Sequence, residues 1–158
     1  MMNLPWYAFF IRLLPESFLF ILAGYGFIKK KVEVKEYLIS GILFAVIGYL
    51  IKMLPLSLLI PQILTLLTCV VLLIIINKID SIYAIISSVS IMITIIILEG
   101  INMAFINLFL KDSYKDSSPL FQMILGIPSL VILAVIIISF YFYRVKRSEN
   151  YDALQKNC

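Results

Sequence analysis

The chain has 158 residues, 63% hydrophobic and 14% charged, with a formal net charge of +4 and a mean hydropathy of +1.08. A soluble domain carries roughly 45–50% apolar and about 25% charged residues, so these proportions exclude one. The positive charge is no sign of nucleic-acid binding, because the cations flank apolar runs, where they orient a membrane chain and meet anionic headgroups.

In chain order the apolar runs predict five membrane spans, roughly 9–28, 37–54, 56–77, 83–110 and 120–143. The fold class is therefore all-α, a polytopic membrane helical bundle whose principal partner is the lipid bilayer. Residues 1–143 make one membrane domain and 144–158 a short basic cytoplasmic tail, with no room between them for a soluble domain. The start of the chain lacks a basic region and a small-x-small site, so a cleaved signal peptide is not expected. With the N-terminus outside, the inner segments hold nine cations (Lys29, Lys30, Lys31, Lys35, Lys78, Arg144, Lys146, Arg147 and Lys156). The outer segments hold Lys52, Lys111 and Lys115, which are three. The positive-inside rule then favours N-out, C-in.

The first span opens on "IRLLPESFLF", residues 11–20. Counting back about 20 residues from Ile28 reaches Phe9, which places Arg12 near the outer interface, where its stem can snorkel. Glu16 is four residues on and is expected to face Arg12 along the helix. Pro15 removes a backbone donor, so it either kinks the helix or starts it afresh. In the second case residues 6–14 lie along the outer surface as an aromatic anchor. Arg12 and Glu16 thus serve either as a snorkelling pair or as part of a ligand-contacting site.

Span two carries Gly41 and Gly48, seven residues apart and suited to close helix packing. Its end, "IKMLPLSLL" (51–59), repeats the cation, Leu, Pro, Ser and Leu of "IRLLPESFL" (11–19), and both are read as helix entries at the outer face. Span three holds Gln62 beside Pro61, and Cys69 deep in a charge-free run. Cys69 and Cys158 make no disulfide framework and have no metal-ligand neighbours.

Span four contains Glu99, counted at about eleven residues from its outer end and hence near mid-membrane. A carboxylate at the bilayer centre costs roughly 2.5–3.5 kcal/mol on insertion scales, so Glu99 must be protonated, paired or turned to a polar interior. Ser88, Met92, Asn102, Met103 and Asn107 fall near the same helical line, which predicts one polar, Met-lined face towards other helices and one isoleucine face towards lipid. Interhelical hydrogen bonding and a ligand or proton site both satisfy Glu99. The candidate ligand or partner residues are thus Glu99, Asn102, Arg12, Glu16 and Gln62. In span five, Gly126 and Pro128 loosen the start of the helix.

Enzyme chemistry is thinly provided for. There is no histidine, no phosphate loop ending in Lys-Ser or Lys-Thr, and no serine framed as Gly-x-Ser-x-Gly. No enzyme activity, cofactor or metal is expected, and nothing in the sequence fixes an oligomeric state.

"IRLLPESFLFILAGYGFIKKK" followed by "YLISGILFAVIGYLIKMLPL" resembles the N-terminal multi-span membrane sensor modules of accessory-gene-regulator-type histidine kinases of Firmicutes. The likeness lies in Pro15-Glu16-Ser17, the exit at residues 24–31 and "YLIKMLP" (49–55), and covers spans one to three. The resemblance implies reception of an extracellular peptide and transmission to a membrane-bound kinase. After residue 143 only fifteen residues remain, with no coiled coil, phospho-accepting histidine or ATP-binding domain, so the expectation is a sensor-like module without the kinase. A small transporter subunit and a membrane assembly factor are the competing readings.

Overall fold

The computed structural model describes residues 7, 9–54, 59–109 and 124–156, the side chains of 59, 109 and 148–156 excepted. A π-helical turn, Phe9–Leu13, runs into α1, Leu14–Ile28. Then follow α2 (Val34–Met53), α3 (Leu59–Ile75), α4 (Ser81–Phe109) and α5 (Ile127–Lys156). The fold is an all-α bundle of apolar helices, with no strand among the described residues.

Pro15 stands in the first turn of α1, directly after the π-helical turn, and the chain passes through it without leaving helical conformation. Phe9–Ile28 is therefore one apolar segment of 20 residues. Residues 9–14 belong to the span and do not form a separate surface anchor, while Trp6 lies outside the described residues. The repeated motif follows two paths. Residues 11–19 are helical throughout, whereas residues 51–53 end α2 and residues 55–58 are not described.

Among the described residues four segments are long and apolar enough to cross a membrane: Phe9–Ile28, Val34–Met53, Ser81–Leu108 and Ile127–Arg147. α3 is described over 17 residues, or about 25 Å at 1.5 Å per residue. It is the apolar helix expected at 56–77, whose residues 56–58 lie outside the described residues, and it is closed by a tight turn. There Lys78 adopts a left-handed φ of 51°, and the Ile79 N–H donates to the Leu73 carbonyl at 3.0 Å. α1 ends in a related way: Lys29 has φ 56°, and the Lys30 N–H donates to the Tyr25 carbonyl at 3.3 Å. Left-handed backbone is unfavourable for a residue with a Cβ, but lysine complements the negative end of the helix dipole. At the chain's end α5 continues without a break through the expected tail boundary at residue 144.

α1 is the central helix and touches each of the others. Its small residues make this possible. A Cβ on Gly24 would come within 2.7 Å of Leu73, and one on Gly41 of α2 would collide with the Phe18 ring. Without a hydrophobic drive between helices in lipid, such close approach supplies the packing energy. Gly48 behaves differently from the sequence expectation: nothing lies within 4 Å of where its Cβ would be. Around α1 the core gathers Ile21, Tyr25, Phe44, Cys69, Leu73 and Ala84. The outward faces are apolar. Ile93, Ile96, Ile97 and Ile101 of α4 are each more than half exposed, as are Val131 and Val135 of α5. An apolar surface this extensive is incompatible with water and matches lipid, which is the isoleucine face expected of span four.

Consecutive helices run in alternating directions, giving the bundle two distinct ends. Phe27 packs on Phe140, the Val32 N–H donates to the Tyr141 hydroxyl, and Gly24 meets Leu73 and Ile79. The lysine turns at 29–31 and 78 and the basic stretch of α5 therefore share one end, called here the basic end. Arg12, Lys52, Gln62 and Glu99 gather at the far end.

Candidate functional site

At the far end the Arg12 guanidinium forms an ion pair with the Glu99 carboxylate of α4. This corrects the expectation that Arg12 pairs with Glu16. An i,i+4 pair is worth only about 0.2–0.5 kcal/mol and is weaker with the cation N-terminal, as it is here. A carboxylate on a facing helix gives Arg12 a partner where lipid limits the alternatives. The pair brings Glu99 of α4, a helix of 29 residues, opposite the opening turn of the first span.

Beside the pair lies a cavity of about 120 Å³ lined by Glu16 and Phe20 of α1, Lys52 of α2, Gln62 and Thr65 of α3, and Met92 and Glu99 of α4. A smaller hollow of about 20 Å³ links Arg12, Glu16 and Glu99 to Gly126 and Ser129 at the start of α5. Another of similar size separates Glu16 from Gly48 and Lys52, which explains the open space at that glycine. Thr65 donates its proton to the Pro61 carbonyl at 2.7 Å, and Ser129 donates to that of Gly126 at 2.8 Å. Both hydroxyls therefore have only lone pairs left to offer. Glu16 is the uncompensated member: its Oε2 is shielded and has no hydrogen-bond partner among the described residues.

Of the residues singled out from sequence, Arg12, Glu16, Gln62 and Glu99 come together here. Asn102 does not line the cavity; its amide donates to the Leu125 carbonyl at 2.8 Å, tying α4 to the chain just ahead of α5. Met103 and Asn107 are exposed and leave the packed face of α4, while Ser88 is buried and donates to the Cys69 sulfur. Lys52 and Thr65 were not anticipated. A signal for Lys52 existed in the repeated motif, whose two cations, Arg12 and Lys52, flank the same two acids.

The basic end has a different polar centre, also unanticipated. The Tyr25 hydroxyl donates to Asn77 Oδ1 at 2.9 Å, and the Ser40 hydroxyl approaches the same oxygen at 3.3 Å. Asn77 Nδ2 donates to the Leu72 carbonyl at 3.3 Å. Tyr25, Ser40 and Asn77 are fully buried, and together they join α1, α2 and the α3–α4 turn. Outside the spans, Glu33 is held below the usual carboxylate range, first by its hydrogen bond from Lys30 and then by that ammonium's charge. Glu36 faces Lys78 at 3.8 Å.

Among the described residues no three acidic, Cys or His side chains converge as metal ligands do. No known family, curated protein or solved structure matches the chain. The site is therefore read from its own geometry: a small, partly charged cavity with an apolar wall, lined by four helices at the far end of the bundle.

Proposed function

We propose that this chain is a non-enzymatic, sensor-like or regulatory protein of the cell membrane, whose far-end cavity receives a peptide signal or a segment of a membrane partner. The observation that carries this reading is the convergence of Glu16, Lys52, Gln62 and Glu99 from four helices on one cavity, with Arg12 beside it on the adjoining hollow that Glu16 and Glu99 share. Charged groups in a membrane interior are expensive, and packing alone gives no reason to gather them around empty space. By the positive-inside rule the basic end is cytoplasmic and the cavity lies towards the outer face. The resemblance to peptide-sensing kinase modules supports reception at that face. The buried polar lock at the basic end supports reception over passage, since a transport path would have to run through Tyr25, Ser40 and Asn77.

The test is a photo-crosslinking amino acid at Gln62, irradiated in intact cells. A discrete adduct that disappears with Glu99→Gln, while the chain remains inserted and folded, is the expected outcome. Only lipid adducts, unchanged by Glu99→Gln, would overturn the reading.

A further inference from the structure

The charges at the far end are unequally satisfied. Glu99 is neutralised by Arg12, whereas Glu16 keeps one shielded oxygen without a donor. Among the described residues no donor reaches that oxygen, an unmade hydrogen bond to a carboxylate is costly, and a donor in the cavity that Glu16 lines would draw the carboxylate towards it. That cavity, about 120 Å³, far exceeds the roughly 10–15 Å³ that one water requires. Apart from the Lys52 ammonium, each polar group around that space can present an acceptor. Thr65 has spent its proton on Pro61, and the Gln62 amide can present its oxygen. Phe20, Met92 and Ile95 make the rest of the wall apolar. Three or more acceptors above an aliphatic wall match a group with several N–H donors on a hydrocarbon stem.

We infer that the cavity binds a primary ammonium group carried on an apolar chain, with Glu16 accepting its charge-assisted hydrogen bond. This rests on the reading of the far end as a receiving site and assigns the charge of what is received. Lys52 fits the same logic. It lines the cavity from the last turn of α2, it is exposed, and its side chain is itself an alkylammonium. It acts as a competitor from within the chain, able to withdraw to the headgroups when a ligand enters.

The experiment uses the full chain in a neutral detergent, with Cys69 and Cys158 replaced by alanine and Met92→Cys as reporter in the cavity wall. The rate of modification by a small neutral thiol reagent is measured with hexylammonium, hexanol or hexanoate present. Hexylammonium is expected to slow modification by about tenfold at saturation, the effect of about 1.4 kcal/mol. Hexanol and hexanoate are expected to leave the rate nearly unchanged. Glu16→Gln should abolish the protection, and Lys52→Gln should lower the hexylammonium concentration required. Equal protection by hexanol, no protection by any probe, or full protection in Glu16→Gln would overturn the inference. Should Glu16→Gln fail to fold, Lys52→Gln still decides, because weaker protection in that variant would make Lys52 part of the site and not its competitor. The adduct at Gln62 forms whatever the occupant's charge, so trapping without ammonium selectivity would remove this inference alone.

Discussion

The two ends of the bundle solve the same problem in opposite ways. Each brings polar side chains from several helices into an apolar surrounding. At the basic end the cluster of Tyr25, Ser40 and Asn77 is neutral and fully buried, with Asn77 between Tyr25, Ser40 and the Leu72 carbonyl, although Arg144 Nε of α5 is also buried without a partner among the described residues. At the far end the groups are charged, partly exposed and incompletely satisfied, with an ion pair on one side and the open Glu16 oxygen on the other. A satisfied network fixes helices in register, whereas an unsatisfied one beside a cavity keeps free energy available for a ligand. The contrast separates a structural lock from a receiving site.

The largest expected effect is all-or-none and tests which side each end faces. In a background with Cys69 and Cys158 replaced, Lys52→Cys should react with an impermeant thiol reagent in intact cells. Lys78→Cys should react only after permeabilisation. Equal reaction of both in intact cells would dissolve the distinction between the ends as an outside and an inside.

Next in size is the lock. Asn77→Ala leaves the Tyr25 hydroxyl and the Leu72 carbonyl without partners in a buried place. A loss of about 2–4 kcal/mol in unfolding from mixed micelles is expected. Tyr25→Phe removes one donor and leaves Asn77 with Ser40, so about 0.6–1.5 kcal/mol should follow. If the two variants were equally mild, the basic end would not be a cooperative network.

The far end should show a smaller, strictly pairwise effect. In a double-mutant cycle, Arg12→Gln with Glu99→Gln should couple by about 0.5–2 kcal/mol, the range of a half-exposed ion pair in a membrane protein. Arg12→Gln with Glu16→Gln should be additive to within about 0.5 kcal/mol. Coupling to Glu16 and not to Glu99 would restore the local pair that the sequence suggests, and would close the open oxygen on which the site depends.

The history of these residues separates what local pattern carries from what it does not. The limits of the first helix, the isoleucine face of α4 and the all-α class follow from composition and period, because lipid imposes a simple rule on every exposed side chain. That Arg12, Glu16, Gln62 and Glu99 matter was legible because a polar residue in a span always needs an explanation. Which of them meet was not. Arg12 and Glu99 are 87 positions apart, and only the packing of α1 against α4 brings them together. Asn77 escaped notice for the opposite reason: just past the end of α3 it reads as solvated, and its burial depends on a turn closing over the end of α1.

The smallest effect belongs to the rim of the basic end and works through pH. Glu33 is exposed, and its carboxyl is held below the ordinary range chiefly by Lys30. A carboxylate with a lowered pKa in the folded state contributes stability that is present above its unfolded pKa and lost as the pH falls through the folded value. The bundle should therefore differ slightly from its Glu33→Gln variant at neutral pH, and the two unfolding curves should converge as the solution is acidified past the ordinary carboxylate range. Lys30→Gln should remove the same difference without acidification. This convergence is specific to the rim, because Asn77, Tyr25 and Ser40 change no charge in that interval and the lock beneath it should hold throughout. A gap between wild type and Glu33→Gln that persists unchanged into acid would show that Glu33 acts by its shape at the head of α2 and not by its charge. The basic end would then owe its order to the neutral lock alone, and the contrast with the charged far end would be sharper than the pair at its rim implies.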